Sequence, residues 1–170
     1  MPLDTPWDIS LTELNSYLRA ANVATLNQDD ALSARELDAP TRSALVMALR
    51  EAVRRARDDA PPVAQWLAAS ESLVMSDAGS EAAREKADTF WSRLTQIVYG
   101  CFALAMLGDP SEFSFFIELL RHQPAGHLAE MAVDVLRYYV DPSHELDTLR
   151  LLQRAEEWWR INPACQVSRT

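Results

Sequence analysis

Apolar residues recur along this chain at helical spacing, and nowhere do they alternate with period two over a useful length, so every predicted element is a helix. A first helix is expected over Trp7 to Ala21. Ser10-x-x-Glu13 forms a capping box, Ile9 and Leu14 stand where a hydrophobic staple needs them, and Leu11, Leu14, Leu18 and Ala21 share a face. Ser33-x-x-Glu36 repeats the box with Leu32 and Leu37 as its staple, and Pro40 leaves the continuation open. From Thr41 the series Leu45, Leu49, Ala52, Val53 and Ala56 runs to a breaker at Asp58-Asp59-Ala60-Pro61-Pro62. Val63 to about Met75 reads as the next helix, and Ser80-Glu81 caps another that leads through Trp91, Leu94, Ile97 and Val98. Gly100 is a place where that helix kinks or divides. The density of apolar residues from Ile97 to Leu107 predicts burial on nearly all sides. Helices are expected again over Ser111 to His122, His127 to Val140 and Ser143 to about Ile161, ended by Asn162-Pro163. The fold class is all-α, with about seven to eight helices.

The last part of the chain repeats itself. Leu107-Gly108-Asp109-Pro110-Ser111, followed by Ile117-Glu118-Leu119-Leu120, returns thirty-two residues later as Tyr139-Val140-Asp141-Pro142-Ser143, followed by Leu149-Arg150-Leu151-Leu152. An Asp that accepts from free N–H groups and a Pro with its φ preset read as a helix start in both copies. A helix–turn–helix unit at fixed period is the mark of stacked helical repeats. Asp77 falls at the same interval before Asp109, although nothing after it aligns as a third copy.

The segment Ala103-Leu104-Ala105-Met106-Leu107-Gly108-Asp109-Pro110 with Phe116-Ile117-Glu118-Leu119-Leu120 resembles the short bacterial HEAT-like repeats over about residues 91–155. The resemblance implies an α-α superhelix and a protein-binding scaffold. It divides the chain, taken as one domain, into N-terminal helices over 1–90, repeats over 91–161 and a tail over 162–170. Tyr139-Val140 departs from the Leu-Gly of the first copy, and residues 1–90 show no clean unit, which leaves open a HEAT-like tail on an unrelated helical head.

Composition narrows the class of protein. A chain of 170 residues, 48% hydrophobic and without an apolar run near twenty residues, reads as one soluble domain rather than a membrane span. Asp4 and Asp8 stand where a secretory leader carries positive charge, so a cytoplasmic location is expected. Cys101 and Cys165 fit neither a disulfide framework nor a zinc site, and Cys101 reads as a small buried hydrophobe. A net charge of −9 disfavours nucleic acid and anionic membrane and favours a basic partner. The charge is uneven. Arg42, Arg50, Arg54, Arg55 and Arg57, with Glu51 among them, form a basic block that reads as a solvated helix face near the helix C-terminus.

No catalytic signature is present. Glu118 and His122 share a helix face, and His127, Glu130 and Asp134 share another, but the Glu-x-x-His pairs of a di-iron bundle do not occur. No catalytic residue, metal or cofactor is expected. What stands out is apolar surface beyond one core face. Phe115 and Leu119 lie off the face formed by Phe113, Phe116, Ile117 and Leu120, and the second copy places Asp147 and Leu151 there. Arg150 matches Glu118, Arg154 matches His122, and Trp158 follows. If the units stack side by side, Phe115, Glu118, Leu119, His122, Asp147, Arg150, Leu151, Arg154 and Trp158 make a partner-binding strip with aromatic and Arg anchors. The alternative is that the N-terminal helices cover the strip as core. The expectation is thus a non-catalytic protein-binding module, most concretely a bacterial immunity or antitoxin-like inhibitor that occludes a basic toxin or effector. A scaffold or assembly adaptor of a secretion or other multiprotein complex is the second class. A small-ligand protein or enzyme built around Trp66, Trp91, Phe102 and Trp158 is the third.

Overall fold

Polar side-chain caps start the helices that begin after Ser10, Asp38 and Asp147. The computed structural model describes residues 7–27, 32–58, 81–122 and 126–163, excepting the side chains of residues 82–84, 86–87 and 90–91. The expected helix at Val63, the Asp77 copy, the Ser80 cap, Trp66 and most of the tail lie outside these residues, as does the Trp91 side chain. Helix α1 spans Leu11–Ala20, with the Ser10 hydroxyl accepting from the Glu13 N–H and Leu11, Leu14 and Leu18 buried. Helix α2 spans Ala39–Arg57, with the Asp38 carboxylate accepting from the Thr41 N–H and Pro40 in the first turn. Helices α3 (Glu81–Met106), α4 (Phe113–His122), α5 (His127–Val140) and α6 (Thr148–Ile161) follow, giving six α-helices among the described residues.

The second capping box is real but short. Ser33 and Glu36 bond reciprocally, yet they start only a 3₁₀ turn over Ala34–Glu36. Pro40 has no N–H to continue from Glu36, and its ring crowds that carbonyl, so Asp38 must cap afresh. The turn serves to hold the chain's entry into α1: Leu11 N–H donates to the Leu32 carbonyl and Ala34 N–H to that of Ile9.

Helix α3 is the hub. Leu94, Ile97, Val98 and every residue from Cys101 to Leu107 are buried, and α1, α2 and α5 all pack on this helix. Gly100 does not divide it, since the helix is continuous across that position. The glycine answers a different need. A Cβ there would lie 2.6 Å from Val53 Cγ2 and 3.6 Å from Ala21 Cβ, so the missing side chain lets α2 close on α3.

The two Asp-Pro-Ser corners begin alike and end differently. At the first, Asp109 N–H donates to the Leu104 carbonyl and Gly108 N–H to that of Ala105, with Gly108 at φ 85°, a Schellman ending for α3. The Asp109 carboxylate then accepts from the Ser111 N–H and hydroxyl and starts a 3₁₀ turn, Pro110–Glu112, that runs straight into α4. At the second, the Asp141 carboxylate accepts from the N–H groups of Glu145 and Leu146. It thereby folds a loop rather than a helix, and α6 begins at Thr148 with Asp147 as its cap, not at Ser143. Helix α4 packs on α5 and α6, and α5 packs on α3 and α6. The Tyr139 hydroxyl donates to the Ala105 carbonyl at 3.0 Å and ties the two pairs together. The buried apolar residues of α1 through α6 form one contiguous cluster.

Gly100→Ala is expected to destabilise the protein by about 1–3 kcal/mol in urea unfolding, because Val53 is β-branched and yields poorly to the new methyl. Val53→Ala in the same chain recovers part of that loss, as the two side chains compete for one space.

Candidate functional site

The strip expected on α4 and α6 is closed. Phe115 is 3% exposed, Leu119 and Leu151 are 0% and Trp158 is 8%, so a partner meeting the folded surface does not reach them. Helix α4 packs against both α5 and α6 and therefore needs two apolar faces, which is what Phe115 and Leu119 supply. The Arg57 guanidinium lies over the Phe115 ring, 5.0 Å from its centroid. Trp158 packs edge-on to Phe113 at 4.6 Å and against Tyr139 at 5.8 Å. Of the same set, Glu118, His122, Asp147, Arg150 and Arg154 stay exposed. Asp147 is occupied as the α6 cap, and Arg121 pairs with Glu156 across α4 and α6.

The basic block also divides. Arg54 and Arg55 pair with Glu51 in solvent, and the two guanidinium groups hold the Glu51 carboxyl down at about 2. Arg50 and Arg57, two turns apart on α2, instead reach the first corner. Arg50 grips the Asp109 carboxylate with two nitrogens at 2.8 and 3.0 Å, and Arg57 meets Glu112 at 2.6 Å. These two are clamps between α2 and the α3–α4 turn rather than a solvated face.

Chemistry-bearing side chains gather elsewhere, where α1 and α5 flank α3. Tyr17 of α1 stacks on Tyr99 of α3 at 5.5 Å and leans on Phe102 at 5.0 Å. The Tyr99 hydroxyl sits 3.1 Å from His127 Nε2 at the start of α5. Burial pushes the Tyr17 phenol up, and the negative charges of Glu13 and Asp134 push it further. Burial likewise raises the Asp134 carboxyl, with Glu130 adding to the effect and His144 and Arg137 opposing it. Carboxylates from two helices, Glu13 of α1 and Asp134 of α5, thus lie near Tyr17, and Glu130 lies near Asp134.

At one end of this face lies a crevice of about 230 Å³ lined by Trp7, Asp134, Arg137, Tyr138, Pro142 and His144. The chain before α1 supplies one wall. Trp7 N–H donates to the Met106 carbonyl at 2.7 Å, and the indole packs on Phe102 and, at 4.8 Å, on Tyr138. The second corner supplies the rim. Asp141, 5% exposed, pairs with Arg137 and holds the loop that carries His144 at φ 56°. Burial raises the Asp141 carboxyl, but the Glu145 and Leu146 N–H groups and the Arg137 guanidinium outweigh it and hold the pKa below the usual carboxylate value. The Trp7 indole N–H is buried with no acceptor among the described residues.

The sequence reading placed His127, Glu130 and Asp134 on one helix face but did not connect them with Trp7, Tyr17, Tyr99, Tyr138 or His144. A signal was there: Glu13 and Tyr17, and Asp134 and Tyr138, each stand four apart on helix flanks. Among the described residues no three His, Cys, Asp or Glu side chains gather to hold a metal ion, and no helix is long and apolar enough to cross a membrane.

Because the folded Asp141 pKa lies below its unfolded value, its stabilisation is present above about pH 4 and is lost as pH falls through the folded pKa. Asp141→Asn is therefore expected to lower Tm at neutral pH, with the gap to the parent protein narrowing in thermal melts as pH falls below about 4. No family model matches the sequence, and no curated protein or solved structure matches it either, so the functional reading rests on this geometry.

Proposed function

We propose that the protein is a non-catalytic protein-binding module for a basic partner, which it meets on the face shared by α1, α3 and α5. The observation that carries this reading is the placing of Glu13 and Asp134 by Tyr17, stacked on Tyr99, with Glu130 near Asp134, in a chain of net charge −9. Arg137, which acts on Asp134, is already paired with Asp141. Exposed carboxylates steer a cationic protein into place, and aromatic rings beneath them add contact area and cation–π attraction. In its most concrete form the module is an immunity or antitoxin-like inhibitor that covers the basic cleft of a toxin or effector.

A HEAT-like stack is part of the proposal. The pair α3–α4 followed by α5–α6, with α5 against α3 and α6 against α4, is the order two stacked units would take. The mixed-charge surface of Glu118, His122, Arg150 and Arg154 favours the adaptor as a second reading, because a further face would let the protein hold two chains.

Affinity capture with the parent chain and with a Glu13→Lys, Glu130→Lys double variant tests the first reading. The expected result is a stoichiometric basic partner whose Kd rises about tenfold or more on double charge reversal and also on raising salt from about 50 to about 500 mM. Capture indifferent to both changes, or of an acidic partner only, overturns it.

A further inference from the structure

Building on the basic-partner reading, we infer that the crevice between Trp7, α5 and the loop after it is a socket for one arginine side chain of that partner. Its walls are flat and apolar: the Trp7 and Tyr138 rings lie 4.8 Å apart with planes tilted by 44°, and Pro142 adjoins them. A planar, weakly hydrated guanidinium stacks on such surfaces better than a compact ammonium does.

The charge in the crevice selects a cation. Asp109, Glu112 and Asp141 each hold an arginine. Asp134 has no ion pair and no side-chain hydrogen bond among the described residues, and its carboxyl lies at the mouth of the crevice beside His144. Two guanidinium groups border the crevice: that of Arg137 is 18% exposed and committed to Asp141, and that of Arg35 is engaged with the Tyr138 hydroxyl, which leaves Asp134 as the carboxylate of the lining without an ion pair. An incoming arginine gives Asp134 the guanidinium partner that the other three carboxylates already have.

Size limits the occupant. About 230 Å³ falls below the roughly 300–1,000 Å³ typical of small-molecule pockets and suits a single side chain. The walls are also set before the partner arrives, since the Asp141 network fixes the loop and the Trp7–Met106 hydrogen bond fixes the opposite side. A side chain entering a preformed socket loses less on ordering than one that must shape it.

The test uses the full chain and reads the Trp7 indole N–H resonance, assigned through Trp7→Phe, during titration with N-acetyl-arginine methylamide. A saturable shift is expected. The uncharged citrulline derivative and the Asp134→Asn variant should each weaken it about tenfold or abolish it, and the lysine derivative should bind less tightly than arginine. Asp134 is exposed, so the substitution leaves the remaining spectrum in place as a check on folding. No saturable shift, an equal response to citrulline or lysine, or an unchanged response in Asp134→Asn overturns the socket. A captured partner that binds Asp134→Asn with unchanged affinity, yet is lost on reversing Glu13 and Glu130, removes the socket and leaves the basic-partner reading standing.

Discussion

A helix that is apolar on nearly every side cannot remain in water, and the second half of α3 is such a helix. From Ile97 to Leu107 its side chains exclude solvent almost entirely, and other elements must supply the cover. Helices α1 and α2 take one part of its circumference and α5 another, and the closest of these approaches is possible because position 100 carries no Cβ. The order of the remaining elements follows from that demand. The segment before α1 crosses the end of α3 through Trp7 and Met106, and the ring contacts from Phe102 to Tyr138 continue the cover onto α5.

The same demand explains why the expected binding strip is core. Helix α4 packs on both α5 and α6 and presents apolar residues to both, so Phe115 and Leu119 are its second contact face rather than surplus. Arg57 closes the outer side of Phe115, which puts the basic block to a structural use. Arg50 does the same for Asp109, an 8% exposed carboxylate whose burial would be unfavourable without its two bonds to that guanidinium. Once the apolar residues of α4 and α6 are inside, the tyrosines at the edges of α1, α3 and α5 remain half-buried among carboxylates. That edge is the face on which the functional proposal rests.

Identical Asp-Pro-Ser triplets take different roles because of what surrounds each. The first follows Gly108, which adopts the left-handed conformation that closes α3, and its Asp finds Ser111 and an arginine from α2. The second follows Val140. Its Asp finds Arg137 of its own helix and two N–H groups further along, and the resulting loop places Pro142 and His144 beside Trp7. A repeat in sequence thus gives one direct turn and one functional-looking rim.

Local information was enough for much of the architecture. Helix class, the caps at Ser10 and Ser33, the near-total burial around α3 and the start of α5 all follow from periodicity and from short-range hydrogen bonding, which a chain segment carries with it. The partners of Arg50, Arg57 and Tyr99, and the neighbours of Trp7, are 28 to 59 positions away in the pairs Arg50–Asp109, Arg57–Glu112 and Tyr99–His127, and farther still for Trp7. Which of two apolar faces on α4 is core, and which acidic side chains meet around the tyrosines, were settled only when the helices packed. A periodic pattern states that a face is apolar, but burial depends on how many neighbours cover it, and that is a property of the assembled fold.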